Sequence, residues 1–396
     1  MPADEEPRGD HEPTIGLALS GGGSRAIAFH LGCLRALNDR GILSKTRVIS
    51  SVSGGSVIAA LYAYGDEPFE EFDARAVAFL RNGLVRRITR EALFSSALPK
   101  SLLTIATAGT AALLADLVRL LLLAPRLVGL NHRFPTDRLH APLRRYSSRA
   151  VAFEMALAKE LFASRKIHAV ARPGLDIVIN ATELRTGTAF RFGSQSSGSW
   201  RFRDVINNDV TVAKAVAASA AYPAMFPALD EYLDIGKPNS HRKERVILTD
   251  GGVYDNLGVT CLEPGRAPDI STNVFPVDYI ICCDAGHGEP TGTIKPYWWH
   301  TRMRQSFETT HRRVQTSAYA RLHKYVETGE LAGFVLPYLG QQDHRLPFAP
   351  PDLVPREEVM TYPTDFSPMA DEDIRRLSLR GEQLTRLLIA RYTPEL

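Results

Sequence analysis

The chain has 396 residues, 44% hydrophobic and 23% charged, the composition of an ordinary soluble globular protein. Its formal net charge is only +3, which argues against a general polyanion binder, so no nucleic-acid partner is expected. The length allows one large domain with insertions or two domains.

Residues 1–13 are charged and proline-containing with no apolar stretch, so they read as a frayed tail rather than a secretory signal. Thr14 to Leu19 reads as a short buried strand, followed by Gly21-Gly22-Gly23. Ala26 to Leu37 has helical spacing, with Ile27, Leu31 and Leu34 on one side. Val48 to Val52 reads as a second strand, broken at Ser53-Gly54-Gly55, and Ser56 to Tyr64 as a buried helix. Strand, glycine turn, helix, strand, sharp turn and helix in succession predict a mainly parallel sheet with helices on its faces.

The stretch 81–149 has a different composition. Twelve Lys and Arg residues stand there against Glu91, Asp116 and Asp137. It also holds the most apolar run, Leu102 to Leu130, interrupted only by Asp116, Arg119 and Arg126. Three readings stand: a buried helical hairpin, an interfacial segment, or a membrane span. In the interfacial reading each flanking arginine contributes about 1 kcal/mol near an anionic surface.

Further strands are expected at Leu175–Asn180, Arg245–Leu248 and Tyr279–Cys283. Tyr297-Trp298-Trp299-His300 reads as packing in preference to a lipid-facing cluster, and His311-Arg312-Arg313 as a solvated helix face. Asp371 to Tyr392 reads as an amphipathic helix, with Ile374, Leu377, Leu384, Leu387 and Leu388 apolar. The four cysteines, Cys33, Cys261, Cys282 and Cys283, form no C-x-x-C pair and no zinc spacing. They read as small buried hydrophobes in a reducing compartment, with the adjacent Cys282 and Cys283 on opposite faces of a strand.

Three motifs carry chemistry. Ser51-Val52-Ser53-Gly54-Gly55 is close to the G-x-S-x-G elbow, in which small neighbours let a serine occupy a strained strand-to-helix turn. Its hydroxyl then sits at a helix N-terminus, where the dipole favours a developing anion. The plainer alternative is a Gly/Ser turn without chemistry. Ser20-Gly21-Gly22-Gly23-Ser24-Arg25 suits a nest of converging amides. It lacks the G-K-[ST] of a P-loop and, with Ala26, the third glycine of a dinucleotide fingerprint. Oxyanion stabilisation therefore fits better than phosphate binding. Arg25 either braces the loop, approaches the anion or makes a surface salt bridge. Thr249-Asp250-Gly251-Gly252 follows Val246-Ile247-Leu248 and reads as a general base at a strand end or as a plain D-G turn.

Together, and in this order, the motifs resemble the patatin-like phospholipase family. Asn180-Ala181-Thr182-Glu183 with Thr186-Gly187, and Ala217 to Pro227, are similar to further family segments. The resemblance covers 14–288, interrupted by the basic insertion. It implies a three-layer α/β/α fold with a mainly parallel central sheet, a helical insertion and a C-terminal helical extension. The implied division is a tail at 1–13, a catalytic domain at 14–290 containing the 81–149 insertion, and an extension at 291–396 packed on the core. It implies a Ser-Asp dyad without histidine, with Ser53 as nucleophile and Asp250 as base. The amides of Gly21, Gly22 and Gly23, with Ser24 and Arg25, form the oxyanion hole, and Ser51 and Gly55 shape the elbow. Ser51 in place of glycine, and Ala26 where the family often has glycine, are departures that bear on loop geometry.

No metal or other cofactor is implied. The expected substrate is a phospholipid or lysophospholipid, met by a cytoplasmic enzyme docked peripherally on the inner face of a membrane; no protein partner is indicated. The alternatives are acyl transfer, hydrolysis of neutral glycerides or small esters, and a non-catalytic lipid-binding regulator that keeps the fold. A Ser-His-Asp triad using His287 with Asp250 or Asp284 also fits the chain order.

Overall fold

The computed structural model describes residues 12–85, 88–90, 97–127, 148–223, 225–237, 240–268, 271–288, 292 and 298–396. Most of the expected tail lies outside them, as do Tyr297, Glu91, Asp137 and six of the insertion's arginines: Arg86, Arg87, Arg133, Arg138, Arg144 and Arg145.

The chain begins with β1 (Ile15–Leu19), α1 (Gly23–Asp39), β2 (Thr46–Val52), α2 (Gly54–Ala63) and α3 (Phe69–Asn82). A helical run from Ala97 follows, with a π turn at Ile105–Gly109, and continues as α4 (Thr110–Leu127). Next come α5 (Arg149–Leu157), β3 (Asp176–Glu183), β4 (Thr188–Gly193), β5 (Ser197–Ser199), β6 (Arg203–Asp204) and α6 (Val212–Ser219). The chain then forms β7 (Leu229–Lys237), β8 (Ser240–Asp250), β9 (Tyr279–Cys283), α7 (Trp299–Glu327), β10 (Gly333–Val335) and α8 (Asp371–Tyr392).

The strands form one sheet in the order β10-β9-β1-β2-β3-β4-β5-β6, with β8 joined to β3 and β7 to β8. The five from β10 to β3 pair in parallel, and the remainder add in antiparallel pairs. Both faces of the parallel centre are covered, as such sheets require. The period of two sorts the side chains. Leu17, Leu19, Ile49, Ile177, Ile179, Ile281 and Cys283 join the larger core, toward α1, α2, α6 and α8. Ala18, Val48, Val178, Ile280 and Cys282 face a smaller core closed by Leu257, Leu262 and, from α7, Ala318 and Leu322. This is the expected three-layer α/β/α arrangement, and Cys282 and Cys283 do point to opposite faces.

Residues beyond 290 are joined to this body: β10 extends the sheet edge and α8 crosses α1 closely. At the crossing a Cβ on Gly32 would fall 1.7 Å from the Ser378 carbonyl oxygen, and one on Gly381 would fall 2.2 Å from that of Phe29. The buried Arg380 of α8 donates to the carbonyls of Leu339, Val354 and Gln341 and to Asp343, fastening the chain between β10 and α8.

One feature of register positions the site. On one edge of β3, Asn180 faces Val52 of the parallel β2, while the next residue, Ala181, faces Asp250 of the antiparallel β8. The two strands run toward each other along that edge and end where they meet. Ser53 and Asp250 are thereby brought together from nearly two hundred residues apart in sequence.

Candidate active site

Ser53 follows β2 with φ 52° and ψ −120°, a strained backbone for a residue with a side chain and the signature of a nucleophile elbow. The glycines after it are required by contact. A Cβ on Gly54 would lie 2.2 Å from the Gly23 oxygen, and one on Gly55 would lie 2.4 Å from the Leu19 oxygen. The elbow is thus packed directly on the glycine loop. Ser51 is tolerated where a glycine was expected, because its buried hydroxyl donates to the Val178 carbonyl on β3 at 3.2 Å.

In the loop, the Gly21 amide donates to the Asn256 oxygen (3.1 Å) and the Ser24 amide to the Asp365 oxygen (2.7 Å). Gly22 (φ 150°) and Gly23 (φ 60°) keep backbone N–H groups with no hydrogen-bond partner among the described residues. Of the loop glycines, Gly21 is the one against Ser53: a Cβ there would sit 3.2 Å from the Ser53 Cβ.

Arg25 is buried rather than at the surface. Its guanidinium donates to the carbonyls of Ala285 (2.9 Å) and Tyr362 (3.0 Å) and to Thr364 Oγ1 (2.7 Å), and it contacts the His287 ring. Burial lowers its pKa to about 10, with Asp284 opposing. Of the three roles open to it in the sequence, these bonds match bracing of the loop.

Asp250 is 3% exposed and Ser53 8%. The Gly252 amide donates to Asp250 Oδ1 at 2.7 Å, and Oδ2 is buried with no hydrogen-bond partner among the described residues. Burial raises the carboxyl to about 7, and the Gly252 amide and the Ser53 hydroxyl both oppose that rise. The Ser53 hydroxyl is thus among the groups that act on the buried carboxyl. A carboxyl titrating near neutrality beside a strained serine is suited to proton transfer.

Several positioning residues were not singled out in the sequence. Ser219, at the end of α6, accepts the Ser53 amide on Oγ (2.9 Å) and bonds the Ser56 hydroxyl (2.9 Å); its carbonyl accepts the Gly251 amide at 3.2 Å. Asn180 donates to Ser50 Oγ and the Ser51 oxygen, and Thr182 Oγ1 donates to the Asp250 oxygen. These three lie in the two segments noticed only as similarities. Asn256 had no motif around it, yet a Cβ on Gly21 or Gly252 would meet its Oδ1 at 2.5 or 2.6 Å.

The triad does not assemble. His287 makes hydrogen bonds with the Met360 oxygen, Thr364 and Arg25, and desolvation followed by Arg25 lowers it to about 4. Asp284 is held by Tyr319 and the Gly286 amide.

Outside the site, two expectations are corrected and one of the three readings of the insertion is set aside. Trp298 and Trp299 are 67% and 76% exposed, so they are not packed. The described part of the apolar insertion is not buried either: Leu102, Leu103, Ile105, Leu113, Leu114, Leu117, Leu120 and Leu121 are 52–73% exposed. Residues Leu98–Leu122 make a helix long and apolar enough to cross a membrane. Arg312, read as solvated, donates to the Gly288 oxygen at 2.8 Å.

The sequence model of the family described as Patatin-like phospholipase matches residues 17–262. No curated protein sequence matches the chain. Among solved structures, human GIVD cytosolic phospholipase A2 is similar with a TM-score of 0.52 and 13% identity, over 95% of this chain and 58% of that one. VipD from Legionella pneumophila matches with a TM-score of 0.36 and 12% identity, over 96% of this chain and 67% of that one. The likeness to the human enzyme is one of fold, and the chain spans 58% of that protein's length.

Proposed function

The chain belongs to the patatin-like phospholipase family, and from that premise we propose that it is a serine lipid acyl hydrolase working through Ser53 and Asp250. The observation that carries this reading is the meeting of a positive-φ serine with a buried carboxyl held near 7. Ser53 Oγ attacks the ester carbonyl carbon while Asp250 takes its proton. The oxyanion is received by the unpartnered amides of Gly22 and Gly23, each such donor being worth about 3 kcal/mol in the transition state. Collapse expels the alcohol, which takes the proton back from Asp250. Water then adds to the acyl-serine as Asp250 accepts its proton; the acyl–Oγ bond breaks, Asp250 returns that proton to Ser53 Oγ, and the fatty acid leaves. Ser24 contributes by tying the loop to Asp365, Arg25 by bracing it, and Ser51 and Gly55 by letting the elbow close.

The substrate is a phospholipid or lysophospholipid met at a membrane from the cytoplasmic side. The exposed leucines of 102–121, with Trp298 and Trp299, supply apolar surface for peripheral docking. We read 14–290 as the catalytic domain, 81–149 as its docking insertion and 291–396 as an extension that completes the sheet and covers the glycine loop. The test is release of free fatty acid from a lipid panel by wild type, Ser53→Ala and Asp250→Asn. Release by wild type alone supports the assignment and names the lipid; equal release by all three rejects it.

A further inference from the structure

We propose that His30, Cys33 and Cys283 form a binding site for a thiophilic d10 cation, zinc(II) or copper(I), buried beneath the glycine loop. His30 and Cys33 lie three residues apart on α1, so they share a helix face. Cys283 ends β9, directly under that face. One ring nitrogen of His30 and the two sulfurs all lie within 4.8 Å of one another, and all three residues are fully buried. Thiolates about 2.3 Å from a shared metal stand roughly 4 Å apart, so the cluster needs to contract by less than about 1 Å.

The histidine is arranged as metal-binding histidines are. Its Nε2 is paired with the Ser20 carbonyl at 2.9 Å. A carbonyl only accepts, so Nε2 carries the proton and the Nδ1 lone pair is left for another partner. Nδ1 is buried and has no hydrogen-bond partner among the described residues. An imidazole N–H fixed by a backbone carbonyl, with the other nitrogen unfilled in a closed interior, is the outer-sphere pattern of a ligating histidine. Two sulfurs and one nitrogen without a carboxylate select soft metals over magnesium or calcium.

The position gives the site a consequence. The Ser20 amide donates to the Cys283 oxygen at 3.1 Å, and the Ser20 carbonyl holds His30. A metal would therefore clamp α1 to β9 at the residue that begins the glycine loop. The sequence concealed this because its ligands come from two distant segments, with none of the close Cys spacings that mark zinc ribbons.

The test uses the full chain, freed of any affinity tag and produced in two arms, with zinc or with copper under reducing conditions. Metal per chain is measured after dialysis against a chelator, followed by X-ray absorption at the retained metal. The expected result is about one equivalent in one arm, a sulfur-and-nitrogen ligand shell, and at least a tenfold loss of metal in Cys33→Ala and Cys283→Ala. Should those variants fail to fold, the wild-type ligand shell decides alone. Folded wild type without metal in both arms overturns the site, as does a shell lacking sulfur or a Cys33–Cys283 disulfide in most chains. None of these readouts depends on hydrolysis, so the site and the proposed activity stand or fall separately.

Discussion

The Ser53 amide donates to the Ser219 hydroxyl at 2.9 Å, and the carbonyl of the same serine accepts the amide of Gly251, next to Asp250. One residue thus holds the backbone on both sides of the proposed dyad. Ser219→Ala leaves the Ser53 amide without that acceptor, at a cost of about 1–3 kcal/mol in stability. If the elbow then shifts by a fraction of an ångström, kcat falls by about tenfold to a hundredfold while KM stays near wild type. Steady-state kinetics on the lipid identified by the panel would check this, and an unchanged kcat would show Ser219 to be a packing residue only.

Asp250 must be ionised to accept the Ser53 proton, and its folded value is about 7. The pH profile of kcat/KM is expected to rise about tenfold per unit below pH 7 and level off above it. Stability should run the other way. The folded value lies above the unfolded value of about 4, so between these the native state binds more protons. Stability is then fully present below about pH 4 and is lost as pH rises through about 7. Asp250→Asn removes that loss, so denaturant unfolding at pH 8 should show a variant more stable than wild type by a few kcal/mol, at about 1.4 kcal/mol per pKa unit.

His287 is spent on Arg25, Met360 and Thr364 and is neutral above about pH 4. His287→Ala is expected to retain hydrolysis within about threefold, an allowance for loosening around Arg25. A loss near the ten-thousandfold scale seen when a triad member is removed would restore the histidine mechanism.

Leu113, Leu117 and Leu120 share a helix face and are 52–73% exposed. The triple variant Leu113→Glu, Leu117→Glu, Leu120→Glu should change stability by less than about 0.5 kcal/mol. Its flotation with anionic liposomes should fall at least tenfold, each lost leucine contact being worth about 1.5–3 kcal/mol. Flotation equal to wild type would end the docking role of this helix.

The sequence by itself determined the family and the three-layer class, and it pointed to Ser53, Asp250 and the glycine loop as the candidate site. These were legible because they rest on local backbone demands: Gly22 and Gly23 occupy positive φ, and Gly54 and Gly55 have no room for a Cβ. Such demands are written into the residues that meet them. Tertiary structure alone decided which of those groups remain available. Ser24 looked like an oxyanion donor until Asp365 took its amide. Arg25 had three roles until burial among Ala285, Tyr362 and Thr364 matched one. The apolar run at 102–121 reads equally as core and as surface, because hydrophobicity states a preference for leaving water and not what provides the cover. The joining of Ser53 to Asp250 comes from consecutive residues of β3 facing the ends of two different strands. Hydrogen-bond partners and burial are set by segments distant in sequence, so they appear only when the chain is folded.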